Sequence, residues 1–383
     1  MKFDNETIKT TLNADFTEVK VFHFSHCLRE NESLVQDFLT KAVNLEEVSL
    51  INSKAISDST ILTLATNCKQ LTCVNLSRAM CITNNAIIQL SENCPNLTSI
   101  NLSQCFRLRG DAALLAIIQN CQHMASFDLY YSEAATDSAI LAIATHCGPN
   151  LKRLLLSGVS ALHKQESILH LLERCPNILE LSLNGCRNTV LTDLTINSIA
   201  EHCKVITSVC ISDTRMLDDE CINNLARNCI HITNLDISGL SLTIQSIHSI
   251  VHHLVSLRTI KFYQYNEDYE NQNEGNDLHD AAFRVLATHF ESFTVLNLCD
   301  CVVSGVPVDR ANDSRERRDI LPVNKKLKVD KVDSAVLPVN TDATSEQEGD
   351  GDGHGKSCCD VCLILLSVAV QLSCYNGFIT MLC

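Results

Sequence analysis

The chain has 383 residues, a formal net charge of −15 and no Trp. Such a carboxylate surplus repels a phosphate backbone, which needs clustered Lys and Arg, so nucleic acid is not an expected partner. A hydrophobic fraction of 45% with 5% aromatics implies an ordered core of aliphatic side chains and thiols, and the chain holds 21 Cys.

Residues Met1 to Glu18 read as an N-terminal cap segment. They carry acidic and amide side chains where a secretory signal has an apolar run of at least about seven residues, so a cytoplasmic protein is expected. From 19 to 301 the pattern L-x-x-L-x-L returns, starting at Val19, Leu45, Leu71, Leu97, Met124, Leu151, Ile178, Ile206, Ile232, Leu257 and Phe293. All steps but the last, which is 36 residues, lie between 25 and 28. That periodicity defines about eleven units of a leucine-rich-repeat solenoid.

Each unit shows two periods in succession. Alternation such as Ile100 and Leu102 predicts a short strand with those two side chains on one face. Sets such as Ile61, Leu64, Ala65, Cys68 and Ile140, Ile143, Ala144, Cys147 then predict an amphipathic helix. Ser57-Asp58, Thr83-Asn84, Thr136-Asp137, Thr192-Asp193 and Asp218-Asp219 stand where N-caps accept hydrogen bonds from first-turn amides. One unit cannot bury its own apolar face. The strands must therefore stack in parallel about 4.8 Å apart under wider helices, which gives an α/β horseshoe with the sheet on its concave side.

The cysteines follow the repeat. Cys68, Cys94, Cys121, Cys147, Cys175, Cys203 and Cys229 fall at helix ends, and Cys27, Cys105, Cys186 and Cys301 fall three residues after the last strand leucine. Equivalent helix positions in neighbouring units lie about 10 Å apart, too far for a disulfide. These thiols are read as small buried hydrophobes.

Segments such as Leu97-T-S-I-N-L-S-Q-Cys105, and Leu191-Thr192-Asp193 before a helix ending at Cys203, resemble the cysteine-containing leucine-rich repeats of F-box and leucine-rich-repeat proteins. The resemblance covers roughly residues 19 to 301. It implies a substrate-recognition subunit of a cullin-based ubiquitin ligase, with a protein target on the concave face and a cullin-ligase adaptor as a second partner. An F-box takes about forty helical residues ahead of the repeats, and none is visible here. The alternative is an F-box-less adaptor or scaffold subunit.

The concave positions read as Glu47, Ser49, Asn75, Ser77, Asn101, Ser103, Asp128, Tyr130, Arg153, Glu180, Asn184, Asp236, Lys261 and Tyr263. Tyr130, Arg153, Lys261 and Tyr263 are the candidate partner-binding residues, because interface hot spots favour Tyr and Arg and Lys261 adds charge. The 36-residue step holds an acidic insertion, Gln264 to Asp277, that suits either a binding loop or a solvated one. Residues 302–357 read as a disordered polar tail, in which Lys325 to Lys331 has the composition of a nuclear import signal. Residues 358–383 are apolar and Cys-rich. Val361 to Cys383 is long enough for a membrane anchor, with Cys358, Cys359 and Cys362 as palmitoylation candidates, although Gln371 and Asn376 interrupt it. The single C-x-x-C from Cys359 to Cys362 lacks the second pair that a zinc site needs, and no cofactor is expected. The common phosphate-loop, zinc-hydrolase and nucleophile motifs do not occur, so no catalytic residue is assigned.

Overall fold

A computed structural model describes residues 16–26, 31–186, 190–212, 217–240 and 242–262, together with 285, 295–297 and 379–382. Tyr263, the insertion 264–277, Cys27, Cys301, the tail 302–357 and most of 358–383 lie outside the described residues. Ten strands recur through the repeats: β1 (Val21–Ser25), β2 (Glu47–Ser49), β3 (Cys73–Asn75), β4 (Ser99–Asn101), β5 (Ser126–Asp128), β6 (Arg153–Leu155), β7 (Glu180–Ser182), β8 (Ser208–Cys210), β9 (Asn234–Asp236) and β10 (Thr259–Lys261). They pair in sequence order, all parallel, and β11 (Val295–Asn297) and β12 (Ile379–Leu382) extend the sheet beside β10 and β1. The four described residues of the apolar C-terminal run are thus an edge strand. No helix among the described residues is long and apolar enough to cross a membrane.

The register aligns one apolar residue of each strand in a single buried row: Phe22, Val48, Val74, Ile100, Phe127, Leu154, Leu181, Val209, Leu235 and Ile260. Residues on either side of that row point to the opposite face, as the two-residue period of a strand requires. The helices cover the buried side: α1 (Glu32–Lys41), α2 (Asp58–Asn67), α3 (Asn84–Asn93), α4 (Ala112–Asn120), α5 (Asp137–Cys147), α6 (Gln165–Arg174), α7 (Asp193–His202), α8 (Asp219–Asn228) and α9 (Ile244–His253). Each buries one apolar stripe, and the predicted sets are buried, for example Ile61, Leu64 and Ala65 in α2 and Ile140, Ile143, Ala144 and Cys147 in α5. The chain is a leucine-rich-repeat solenoid, an α/β fold with one open parallel sheet. Helices take about twice the width of strands, so the sheet lines the inner side of the curve.

The helix starts depart from the expected capping. Thr136, Asp218 and Thr243 cap their own helices, but Ser57, Thr83 and Thr192 make no side-chain cap bond. The residue after the cap acts instead, and it acts on the next repeat. Asp58 accepts from the Thr83 amide at 2.7 Å and Asp193 from the Asp218 amide at 3.2 Å. Asp137 accepts from the amides of His163 and Lys164, both at 3.1 Å, and from the Ser167 hydroxyl at 2.8 Å. Glu32 and Asp219 repeat the arrangement, receiving Ser57 with Thr60 and Thr243 with Ser246. Burial would raise these two carboxyls, yet the hydrogen bonds that they receive hold both below their ordinary values. One carboxylate thus satisfies the orphan amides at a neighbouring helix start and sits at the positive end of its own helix dipole.

The helix ends use sulfur for the same purpose. Cys68 Sγ donates to the Ala42 carbonyl at 3.4 Å, Cys94 to Cys68 at 3.5 Å, Cys121 to Cys94 at 3.6 Å and Cys229 to Cys203 at 3.6 Å. The thiols are buried and free, as the repeat positions imply, and they also supply weak donors to helix-end carbonyls of the preceding repeat. At the other slot Cys105 donates to Leu76 at 3.1 Å and Cys186 to Leu156 at 3.2 Å.

Burial pushes these thiols up from 9.0, to about 12 for Cys68, Cys105, Cys121, Cys175, Cys186 and Cys203 and to about 11 for Cys94, Cys147 and Cys229. A folded-state value above the unfolded one stabilises fully below pH 9, and the contribution is lost as pH rises toward 11 to 12. Two outcomes are expected. At neutral pH a maleimide should modify Cys94, Cys121 and Cys203 only after global unfolding, and the denaturant midpoint should fall between pH 8 and pH 10. Native-state labelling of these three, read by peptide mass spectrometry, would contradict the burial account.

Candidate protein-interaction surface

Two rows of side chains project from the inner face of the sheet. One runs Glu47, Cys73, Ser99, Ser126, Arg153, Glu180, Ser208, Asn234, Thr259. The other runs His23, Ser49, Asn75, Asn101, Asp128, Leu155, Ser182, Cys210, Asp236, Lys261. Most are short, and Ser49 and Ser103, which the sequence places on the accessible face, are buried. Close stacking of neighbouring strands closes over such small side chains.

The charged members pair with one another. Arg153 Nε meets Glu180 Oε2 at 2.7 Å and its Nη1 lies 3.8 Å from Asp128 Oδ2. Asp128 is further held by the Ser103 hydroxyl at 2.5 Å and the Asn101 amide at 3.0 Å. Lys261 meets Asp236 at 3.4 Å, and His23 meets Glu47 at 2.8 Å. Such surface pairs stabilise by about 0 to 1 kcal/mol, so their main effect is to fix geometry. Of the predicted binding residues, Tyr130 and Arg153 sit on adjacent repeats. Lys261 is four strands beyond Arg153, about 19 Å at the usual strand spacing, and does not join them.

A second surface, missed in the sequence, lies at the rim where the strands end. Among the described residues, one per repeat adopts the left-handed conformation there in eight repeats: His26, Asn52, Arg78, Gln104 and Tyr131, then Gly158, Gly185 and Gly239. The amides of Asn52, Arg78, Gln104, Tyr131 and Gly158 donate to the carbonyls of Ser77, Ser103, Tyr130, Ser157 and Asn184 of the following repeat. Each left-handed residue with a Cβ costs on the order of 1 kcal/mol. The side chains retained at that cost touch sideways: Asn52 Nδ2 lies 2.8 Å from His26 Nδ1, and Arg78 Nε donates to Gln104 Oε1 at 2.8 Å. Beyond Gln104 the row turns aromatic. Tyr131 lies over Gly158, where an added Cβ would come within 2.6 Å of its Cε1, and its ring meets Tyr130 edge-on at 4.4 Å between centroids.

A parallel row stands two or three residues further along. Cys81 donates to the Lys54 carbonyl at 3.1 Å, and Arg107 Nη1 donates to the Cys81 carbonyl at 3.3 Å. Beside it Phe106 is 44% exposed and Tyr131 48% exposed, large apolar areas to leave in water. The signal in the sequence is the residue four places after the buried strand centre: Asn52, Arg78 and Gln104 stand where the equivalent later repeats have Gly158 and Gly185.

Asp193, Asp218 and Cys221 place three potential ligand atoms within 4.8 Å. Their groups are already engaged at a helix start: Asp193 accepts the Asp218 amide, and Asp218 accepts the Cys221 amide at 2.9 Å. The cluster is the inter-repeat arrangement described above with a thiol at its edge.

Gly158→Ala should destabilise the chain by about 1 to 3 kcal/mol, from left-handed strain plus displacement of the Tyr131 ring. Gly185→Ala meets only the Gly158 backbone, at 3.6 Å, and should cost less. Denaturant midpoints with near-ultraviolet dichroism check this, and equal losses would show that the Tyr131 contact is unimportant.

No family model and no curated protein matches the chain. Similar solved structures include the complex of Rad7 and Elc1 in yeast, with 15% identity, coverage of 71% of this chain and 83% of that chain, and a TM-score of 0.46. The leucine-rich repeat-containing protein LegL7 from Legionella pneumophila is 15% identical over 72% of this chain and 89% of that one, with a TM-score of 0.43. Internalin C2 from Listeria monocytogenes is 14% identical over 61% and 84%, with a TM-score of 0.38.

Proposed function

We propose that the chain is a protein-interaction module that receives a protein target on the inner face and rim of its central repeats. The observation that carries this is the edge-on pair of exposed rings Tyr130 and Tyr131, with Phe106 exposed on the preceding repeat and Arg153 held by two carboxylates on the inner face of the following one. Exposed aromatics beside an Arg held in place by two carboxylates have the composition of an interface hot spot. The neutral buried thiols and the paired inner-face charges suit binding and not turnover.

The cysteine-containing repeats favour one setting for that role: target recognition within a cullin-based ubiquitin ligase. The alternative setting is an adaptor or scaffold subunit of a larger assembly, which would use the same surface. The full chain, tagged and recovered from cell extract with its bound proteins identified by mass spectrometry, separates the two. A cullin and its adaptor in the bound fraction, lost or retained independently of the target, support the ligase setting. A stable assembly lacking both supports the scaffold. Arg153→Glu with Tyr130→Ala should remove the target in either case, and unchanged capture by that variant would overturn the inner-face assignment.

A further inference from the structure

On the inner face both Arg153 and Lys261 have carboxylates beside them, but three cations of the rim do not. Lys54, Arg78 and Arg107 are all exposed, stand on three successive repeats, and are paired with no carboxylate among the described residues. Their polar contacts are to neutral groups: Arg78 to the Gln104 amide oxygen and Arg107 to the Cys81 carbonyl. The nearby carboxylates are occupied. Asp58 receives the amide and hydroxyl of Thr83, Asp111 receives the Ser138 hydroxyl, and Glu133 pairs with Arg109 at 3.4 Å. A protein of net charge −15 therefore carries a local island of available positive charge, flanked by the exposed rings of Phe106, Tyr130 and Tyr131.

We propose that this rim, across the second to fifth repeats, is the docking site for an acidic segment of a partner protein that carries an aromatic anchor. The inference rests on the protein-interaction reading and names the chemistry of the partner. Charge complementarity selects the occupant: a basic segment would find three cations and no free carboxylate. Successive repeats advance one strand spacing, about 4.8 Å, while alternate residues of an extended chain lie about 6.6 Å apart, a difference that the long Lys and Arg side chains span across the two rows. Bonds to Gln104 and to the Cys81 carbonyl hold Arg78 and Arg107 before a partner arrives, which reduces the ordering cost of binding. An apolar side chain of the same segment would cover Phe106 and Tyr131.

The test uses the full chain and a fluorescent synthetic peptide of about twelve residues, with Glu at alternate positions and one central Phe. Two control peptides replace every Glu by Gln, or Phe by Ala. Fluorescence anisotropy should show binding of the acidic peptide, at least about tenfold weaker binding of either control, and a similar loss in Lys54→Glu/Arg107→Glu. That variant leaves the left-handed position 78 untouched, and retained protection of the buried thiols verifies its fold. Arg174→Glu, an exposed position at the end of the outer helix α6, should keep peptide binding. Absence of acidic-peptide binding, equal binding of the Gln peptide, or an unaffected Lys54→Glu/Arg107→Glu variant would overturn the rim proposal. The interaction reading itself fails separately, if the cellular target is captured regardless of both the rim and the inner-face substitutions.

Discussion

The structure depends on hydrogen bonds that leave each repeat and end in its neighbour. A three-residue strand with one buried side chain cannot hold itself together, and neither can a helix of about ten residues. Parallel pairing places one repeat's amides on the next repeat's carbonyls, and beyond the strand the left-handed residue continues the same connection at the rim. Two side-chain devices extend it to the outer layer. Carboxylates at positions such as Asp58 and Asp137 join adjacent helix starts, and thiols such as Cys94 and Cys121 join adjacent helix ends. Every repeat is thereby tied at several levels, and stability is a sum over neighbour contacts.

That dependence determines what the surface can offer. Side chains on the inner face lie one strand spacing apart, so charges placed there find each other before they find a partner, as Arg153 does with Asp128 and Glu180. At the rim the left-handed turn carries the chain past the three-residue strand, and longer side chains such as Arg78 and Arg107 stand exposed. The left-handed conformation has an energetic cost, yet five consecutive repeats from His26 to Tyr131 bear a Cβ at that position, whereas Gly158 and Gly185 avoid it. The repeats with the costly residues are those that carry Lys54, Arg78, Arg107 and the aromatic patch.

The solenoid was legible in the sequence because its two periods are imposed by burial. The spacing of Ile140, Ile143, Ala144 and Cys147 leaves one helical face to bury, and the recurrence of L-x-x-L-x-L fixes the register of the sheet. The helix-start chemistry was only half legible. Ser or Thr followed by Asp reads locally as a cap, but whether the oxygen serves its own helix or the next one depends on a neighbour about 26 residues away. The proposed binding surface was least legible. Alternation along a strand identifies Arg153 and Lys261 as facing outward without revealing that each has a carboxylate beside it, and Ser103 belongs to the same face but is buried by close stacking. Strand alternation does not reveal Tyr131, because its orientation comes from the left-handed turn and from the missing side chain of Gly158.

The most direct test of neighbour-to-neighbour coupling is amide hydrogen exchange in Asp137→Ala compared with the unaltered chain. Asp137 receives two amides and one hydroxyl from the following repeat, so its loss leaves His163 and Lys164 without an acceptor. Exchange should be faster at these amides and through α6, with an overall destabilisation of about 1 to 3 kcal/mol. The strands from β1 to β4 should keep their relative protection. Unchanged exchange at His163 and Lys164, or a loss confined to the helix that contains Asp137, would contradict such coupling.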